Sequence, residues 1–106
     1  MKNHTKIFLK SRGCYWENMD PSALDIICEM CACFPFVDTN HVIARGMGGS
    51  KTKDYPDNLI GMCRLCHENF EKKLITKKEC FDKIKDVFAH LSDHQKKIWE
   101  GLRKEV

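Results

Sequence analysis

Cys28-Glu29-Met30-Cys31 and Cys63-Arg64-Leu65-Cys66 are two Cys-x2-Cys pairs. Thiolates at that spacing can share one ion. Two such pairs complete the tetrahedral four-sulfur shell that structural Zn²⁺ prefers, at ~2.3 Å per sulfur. Cys33 competes with Cys31 for a place in the first pair, and the two-residue spacing favours Cys31. A closed shell leaves no open position, so this zinc is expected to hold the fold and not to catalyse. Cys14 and Cys80 have no paired spacing and read as small core residues.

Between and beside the cysteine pairs lie His41, Asn58 and His67. The ordered set is Cys28-x2-Cys31, His41-Val42-Ile43-Ala44-Arg45-Gly46-Met47-Gly48-Gly49, Asp57-Asn58-Leu59 and Cys63-x2-Cys66-His67. Over about residues 28–72 it resembles the HNH endonuclease family. The leader beginning His4-Thr5-Lys6-Ile7 looks like that of small HNH proteins of bacteriophages and prophages. The resemblance implies an α+β chain, a small zinc-stapled ββα-metal (HNH, His-Me finger) domain with flanking helices. It also implies metal-dependent hydrolysis of DNA phosphodiester bonds, in a setting such as genome packaging, recombination or homing. In such proteins the central asparagine, here Asn58, ties the two strands together and orients the base histidine.

The chemistry of the residues runs in parallel. Phosphodiester hydrolysis needs an activated water, stabilised charge on the phosphoryl oxygens, and help for the leaving 3′-oxygen. A neutral imidazole can take a proton from water near pH 7, which suits His41 to general-base work. A divalent ion such as Mg²⁺, Mn²⁺ or Ni²⁺ can act as the Lewis acid, and His67, directly after the second cysteine pair, can hold it. An amide such as Asn58 donates and accepts at once. Arg45 is a candidate for bidentate phosphate contact. Lys51 and Lys53 are candidates for the duplex backbone. His4, His90 and His94 lie outside the pattern and read as surface residues.

One position departs from the family. Just before the base histidine a second metal ligand is usual, commonly His or Asp, and here it is Asn40. An amide oxygen can ligate a hard cation but lacks the charge of a carboxylate. Three alternatives follow: Asn40 ligates through its oxygen, Asp38 on the same strand face substitutes, or the site binds DNA without cutting it. Glu71, four residues after His67 on one helical face, is a further candidate ligand.

The elements that must position these groups are legible in outline. Residues 1–27 read as an N-terminal extension packing on the core, with a helix from His4 to Arg12 stopped by Gly13 and a second start at Asp20-Pro21. Residues 28–75 read as the zinc-stapled core. Phe36 to Ile43 is rich in strand formers, Arg45 to Lys51 is a glycine loop, Asp57 to Met62 is a second strand, and Cys66 to Leu74 is a helix. Residues 76–106 read as a helical segment. Thr76-Lys77-Lys78-Glu79 and Ser92-Asp93-His94-Gln95 both have the capping-box form, each followed by an apolar stripe.

The 106 residues suffice for one small domain, a size that often needs an extra staple. With 42% hydrophobic and 31% charged residues the chain is neither disordered nor membrane-spanning in composition. The apolar patch Ile7-Phe8-Leu9 is too short for a secretory h-region, so a cytoplasmic setting is expected, that of the host cell if phage-encoded. There, seven cysteines argue for metal over disulfides. A net charge of +3 permits nucleic-acid binding without demanding it. DNA is the expected partner, with phage packaging or recombination proteins as further ones. Two rival readings stand beside the nuclease. One is a zinc-dependent DNA-binding or adaptor module that has lost cleavage. The other is a structural zinc-ribbon protein whose C-terminal helices serve a protein contact.

Overall fold

A computed structural model describes residues 3–15, 27–33, 35, 38–43 and 54–105. The helix start at Asp20-Pro21, the residues Phe36 and Val37, and the loop carrying Arg45, Lys51 and Lys53 lie outside them. In chain order the elements are α1 (Asn3–Ser11), β1 (Asp38–His41), β2 (Leu59–Met62), α2 (Arg64–Glu71), α3 (Lys77–Ala89) and α4 (Asp93–Glu105). The described residues therefore form a small α+β unit with a two-stranded sheet and four α-helices.

The sheet is antiparallel, with Asp38 opposite Met62, Thr39 opposite Gly61, Asn40 opposite Ile60 and His41 opposite Leu59. All of β2 is buried, and side chains alternate across a strand, so β2 serves two cores. Ile60 and Met62 pack with the paired cysteines, Val42, Ile84 and Trp99. Leu59 turns the other way, to Ile7, Phe8 and Leu9 of α1 and Leu102 of α4. The second strand starts later than the sequence suggests, because Pro56–Asn58 form a 3-10 turn instead. Proline fixes φ there, and the Asn58 amide donates to the Tyr55 carbonyl at 2.8 Å.

Helix α2 also departs from the expected span of Cys66 to Leu74, at both ends. It begins earlier because Cys63 is its cap: the Cys63 sulfur accepts from the Cys66 amide at 3.5 Å. A thiolate thus does what Ser or Asp usually does. It ends earlier because Lys73 takes a left-handed φ of 64°. The Lys73 amide then donates to Phe70 at 3.1 Å and the Leu74 amide to Asn69 at 2.8 Å, which is the Schellman arrangement.

The flanking helices follow their local signals. Thr76 Oγ1 accepts from the Glu79 amide at 3.1 Å at the start of α3. Ser92 Oγ accepts from the Gln95 amide at 3.2 Å at the start of α4. Gly13, at φ +75°, stops α1, and Gln95 of α4 donates to the terminal carbonyls of Lys10 and Ser11 at 2.7 and 2.9 Å. The end of α1 is thereby capped by a side chain from the far end of the chain. No helix among the described residues is long and apolar enough to cross a membrane.

Candidate metal centre and candidate active site

The ligand atoms of Cys28, Cys31, Cys63 and Cys66 all lie within 4.8 Å of one another, and the Cys31 and Cys63 sulfurs are 3.8 Å apart. Four sulfurs at ~2.3 Å from one tetrahedral ion are separated by about 3.8 Å, so the cluster fits zinc. Both pairs are shaped as knuckles. The Cys31 amide donates to the Cys28 sulfur at 3.5 Å, and the Cys66 amide donates likewise to Cys63. Such N–H groups favour the thiolate form. Burial, followed by the neighbouring thiols of Cys63, Cys31 and Cys28, pushes the Cys66 thiol far above its ordinary range. A divalent cation inverts that preference, because a coordinating thiol is deprotonated outright. Cys33 is exposed and its thiol donates to the Cys31 carbonyl at 3.2 Å, outside the cluster. Cys80 is fully buried, with its thiol raised to about 11 by burial. Cys14 is only half-buried beside α1.

The first knuckle is fixed to the sheet by Glu29. Its amide donates to the Gly61 carbonyl at 2.8 Å, and its Oε1 accepts from the Gly61 amide at 3.1 Å. The same carboxylate takes a two-pronged bond from Arg12, at 3.0 and 3.1 Å. Arg12 further donates to Ser11 Oγ at 2.8 Å, to the Pro56 carbonyl at 3.2 Å and to the Leu59 carbonyl at 2.6 Å. Its guanidinium lies 4.4 Å from the ring centres of both Phe8 and Trp99. Arg12 and Glu29 side chains are only 7% and 9% exposed, so a charged pair sits at the junction of α1, the first knuckle, β2 and α4.

His41 ends β1. One of its ring nitrogens, Nε2, is 2.7 Å from Oδ1 of Asp54, a carboxylate whose side chain is 3% exposed. Donation from Nε2 to the Asp54 oxygen leaves the other ring nitrogen able to accept a proton. The ring also meets His4 of α1, with centres 4.7 Å apart. This corrects the surface reading of His4, which is half-buried against the candidate base. His90 and His94 are exposed as expected.

Asn58 braces the end of β1. Its Oδ1 accepts from the Ile43 amide at 2.8 Å and its Nδ2 donates to the Ile43 carbonyl at 3.0 Å. Its own carbonyl accepts from the Val42 amide at 2.9 Å. The side-chain amide thus imitates a strand edge where the ladder has stopped, and it holds the backbone that follows His41.

His67 and Glu71 share one face of α2, with His67 Nε2 and Glu71 Oε1 2.8 Å apart. Glu71 and His41 line the same cavity of about 500 Å³, floored by Val42, Phe70 and Ile75. The two imidazoles are therefore related through Glu71. Asn40 lies opposite Ile60, on the sheet face that carries the cysteine cluster. Its Nδ2 is buried with no hydrogen-bond partner among the described residues. Turning the amide over puts the oxygen in that position, a ligand atom for a hard cation. Asp38 takes part in the ladder opposite Met62. Among the described residues the four cysteines are the sole gathering of three or more His, Cys, Asp or Glu ligand atoms.

Three functional or bracing groups were invisible to spacing. Asp54 reaches His41 across 13 residues of sequence, with no motif linking them. Arg12 and the ion pair of Asp57 with Arg103 are likewise set by packing. Arg103 donates to both Asp57 oxygens at 2.6 Å, and Trp99 Nε1 donates to Asp57 Oδ1 at 3.1 Å. No family model matches the chain, and no curated protein or solved structure shows significant similarity to it.

Proposed function

We propose that this protein is a metal-dependent endonuclease of the HNH type, hydrolysing DNA phosphodiester bonds with His41 as general base. The observation that carries the reading is a cavity lined both by His41, whose imidazole is bonded to a buried carboxylate, and by Glu71, itself bonded to His67. Bond directionality at Asp54 leaves one ring nitrogen of His41 free to take a proton from water. Asn58 holds the backbone beyond His41, and Asp54 holds the ring itself. His67 and Glu71 would hold a divalent ion, which would supply charge stabilisation at the phosphoryl and leaving oxygens. Mg²⁺ in particular binds through one or two carboxylates plus substrate phosphates and waters, so a sparse protein ligand set fits it. The cysteine cluster, holding Zn²⁺, keeps α2 and the sheet in register.

The second reading is a DNA-binding or adaptor module that no longer cleaves. The neutral Asn40 and the lack of a second three-ligand cluster of His, Cys, Asp or Glu among the described residues favour it. Plasmid nicking in Mg²⁺, Mn²⁺ or Ni²⁺ with a His41→Ala control separates the two. Nicking that needs the metal and falls at least about a hundredfold in the variant supports the enzyme, in line with the usual worth of a general base. Binding without nicking in every metal overturns it in favour of the module.

A further inference from the structure

We infer that the turn between α2 and α3 is a phosphate clamp, in which Lys73 and Lys77 grip the DNA backbone beside the phosphodiester presented to His41. The inference rests on the nuclease reading and adds to it the path of the substrate strand.

The cavity lined by His41 and Glu71 is also lined by Lys73, Thr76 and Lys77. Both lysines are exposed. Among the described residues neither ammonium is paired with a carboxylate, whereas adjacent Lys78 is engaged by Asp82 at 2.9 Å. The rim thus offers two uncommitted cations to an anion entering the cavity.

Local backbone physics disfavours both lysines where they stand. Lys73 occupies the left-handed position after α2, at φ 64°, where glycine is the usual residue because a Cβ is strained. Lys77 is the first residue of α3, so its charge opposes the positive end of the helix. Glu71 repeats the pattern as the last residue of α2, an anion at the negative end. Three residues against local preference, all on one cavity, are what a functional site looks like when it is placed against the fold. A phosphodiester reaching His41 between them meets cations on the rim and, at Glu71, the side chain proposed to hold the metal.

The opposed preferences give a test in which stability and binding move in opposite directions. Binding of a labelled DNA duplex is measured over a salt series, with no divalent metal added beyond the structural zinc, using zinc-loaded protein carrying His41→Ala. Lys73→Gly and Lys77→Gln are added to it singly. Each substitution is expected to reduce the slope of log K against log salt by about 0.9 and to weaken binding about fivefold at moderate salt. Lys73→Gly should at the same time raise the melting temperature by a few degrees, because the left-handed strain is relieved. Lys77→Gln, on an exposed first turn, keeps the test intact if the glycine variant folds poorly. Unchanged slopes in both variants would overturn the clamp and leave the nuclease reading standing. Failure of the parent protein to bind duplex even at low salt would overturn both.

Discussion

The cysteine cluster and the Arg12 junction both join segments far apart in the chain, but they are written in different ways. The cluster draws together residues 28–31 and 63–66 through identical side chains at identical spacing. Its geometry belongs to the ion, so four sulfurs at the right intervals announce it without knowledge of the fold. The Arg12 junction draws together α1, the first knuckle, the 3-10 turn and β2 through one guanidinium. Its partners are one carboxylate, the Ser11 hydroxyl and backbone carbonyls, and carbonyls carry no sequence signature. A chelate is thus encoded locally, while a buried cation among carbonyls is encoded only by the finished structure. The chelate gains its energy from outside the chain. The junction must offset the desolvation of its own charges with hydrogen bonds and ring contacts.

The largest expected effect breaks the comparison on the metal side. Stripping zinc with a chelator, or replacing Cys63 with Ser, should abolish cooperative melting followed by circular dichroism. Structural zinc sites carry roughly 10–16 kcal/mol of apparent affinity, comparable to or above the whole stability of a small domain at about 5–15 kcal/mol. A metal-free protein that still melted cooperatively near its original midpoint would make the Arg12 junction the dominant staple.

A smaller effect is expected from Arg12→Ala, at about 3–5 kcal/mol in urea unfolding, because Glu29 is left buried without its counter-charge. Adding Glu29→Gln should recover part of that loss, since a glutamine oxygen can still accept from the Gly61 amide. If the double variant is no more stable than the single one, the stranded charge is not what the first substitution costs.

The smallest effect sharpens the same contrast by changing burial alone. Asp57 and Arg103 form another two-pronged pair, but their side chains are 43% and 40% exposed. Burial raises the Asp57 carboxyl, and the bonds from Arg103 and Trp99 outweigh it and hold the carboxyl below its ordinary value of 3.8. A carboxyl lowered by folding stabilises the native state above its unfolded value, and the stabilisation is lost as pH falls through the lower folded value. Asp57→Asn should therefore lower the melting temperature slightly near neutrality, by less than Arg12→Ala does. The gap between Asp57→Asn and wild type should close in acid below about pH 4. A gap independent of pH would assign the effect to the Trp99 bond and not to charge.

The parts of the molecule legible beforehand are those whose signal is local. The knuckles, the caps at Thr76 and Ser92, the stop at Gly13 and the strand–strand–helix order all read directly. Helix α2 was misjudged at both ends for a shared reason: unusual residues do the usual jobs. Cys63 caps the start in place of Ser or Asp, and Lys73 takes the left-handed position in place of Gly. The strand β2 starts only at Leu59 because Pro56, Asp57 and Asn58, all turn-forming types, form a 3-10 turn ahead of it. At the candidate site, His41, Asn58 and His67 are candidates through the family resemblance and Glu71 through helical spacing. Asp54 and His4 are not, because their proximity to His41 exists only in the folded structure.

The capping of α1 by Gln95 bears on how the chain matures. The carbonyls of Lys10 and Ser11 wait for a donor lying 85 and 84 residues downstream. On the ribosome, where synthesis runs at roughly 5–20 residues per second, the first helix emerges several seconds before its lid. Both halves of the cysteine cluster leave the tunnel in that interval, so metal capture can precede the docking of the first helix, which is sealed only when the last has been made.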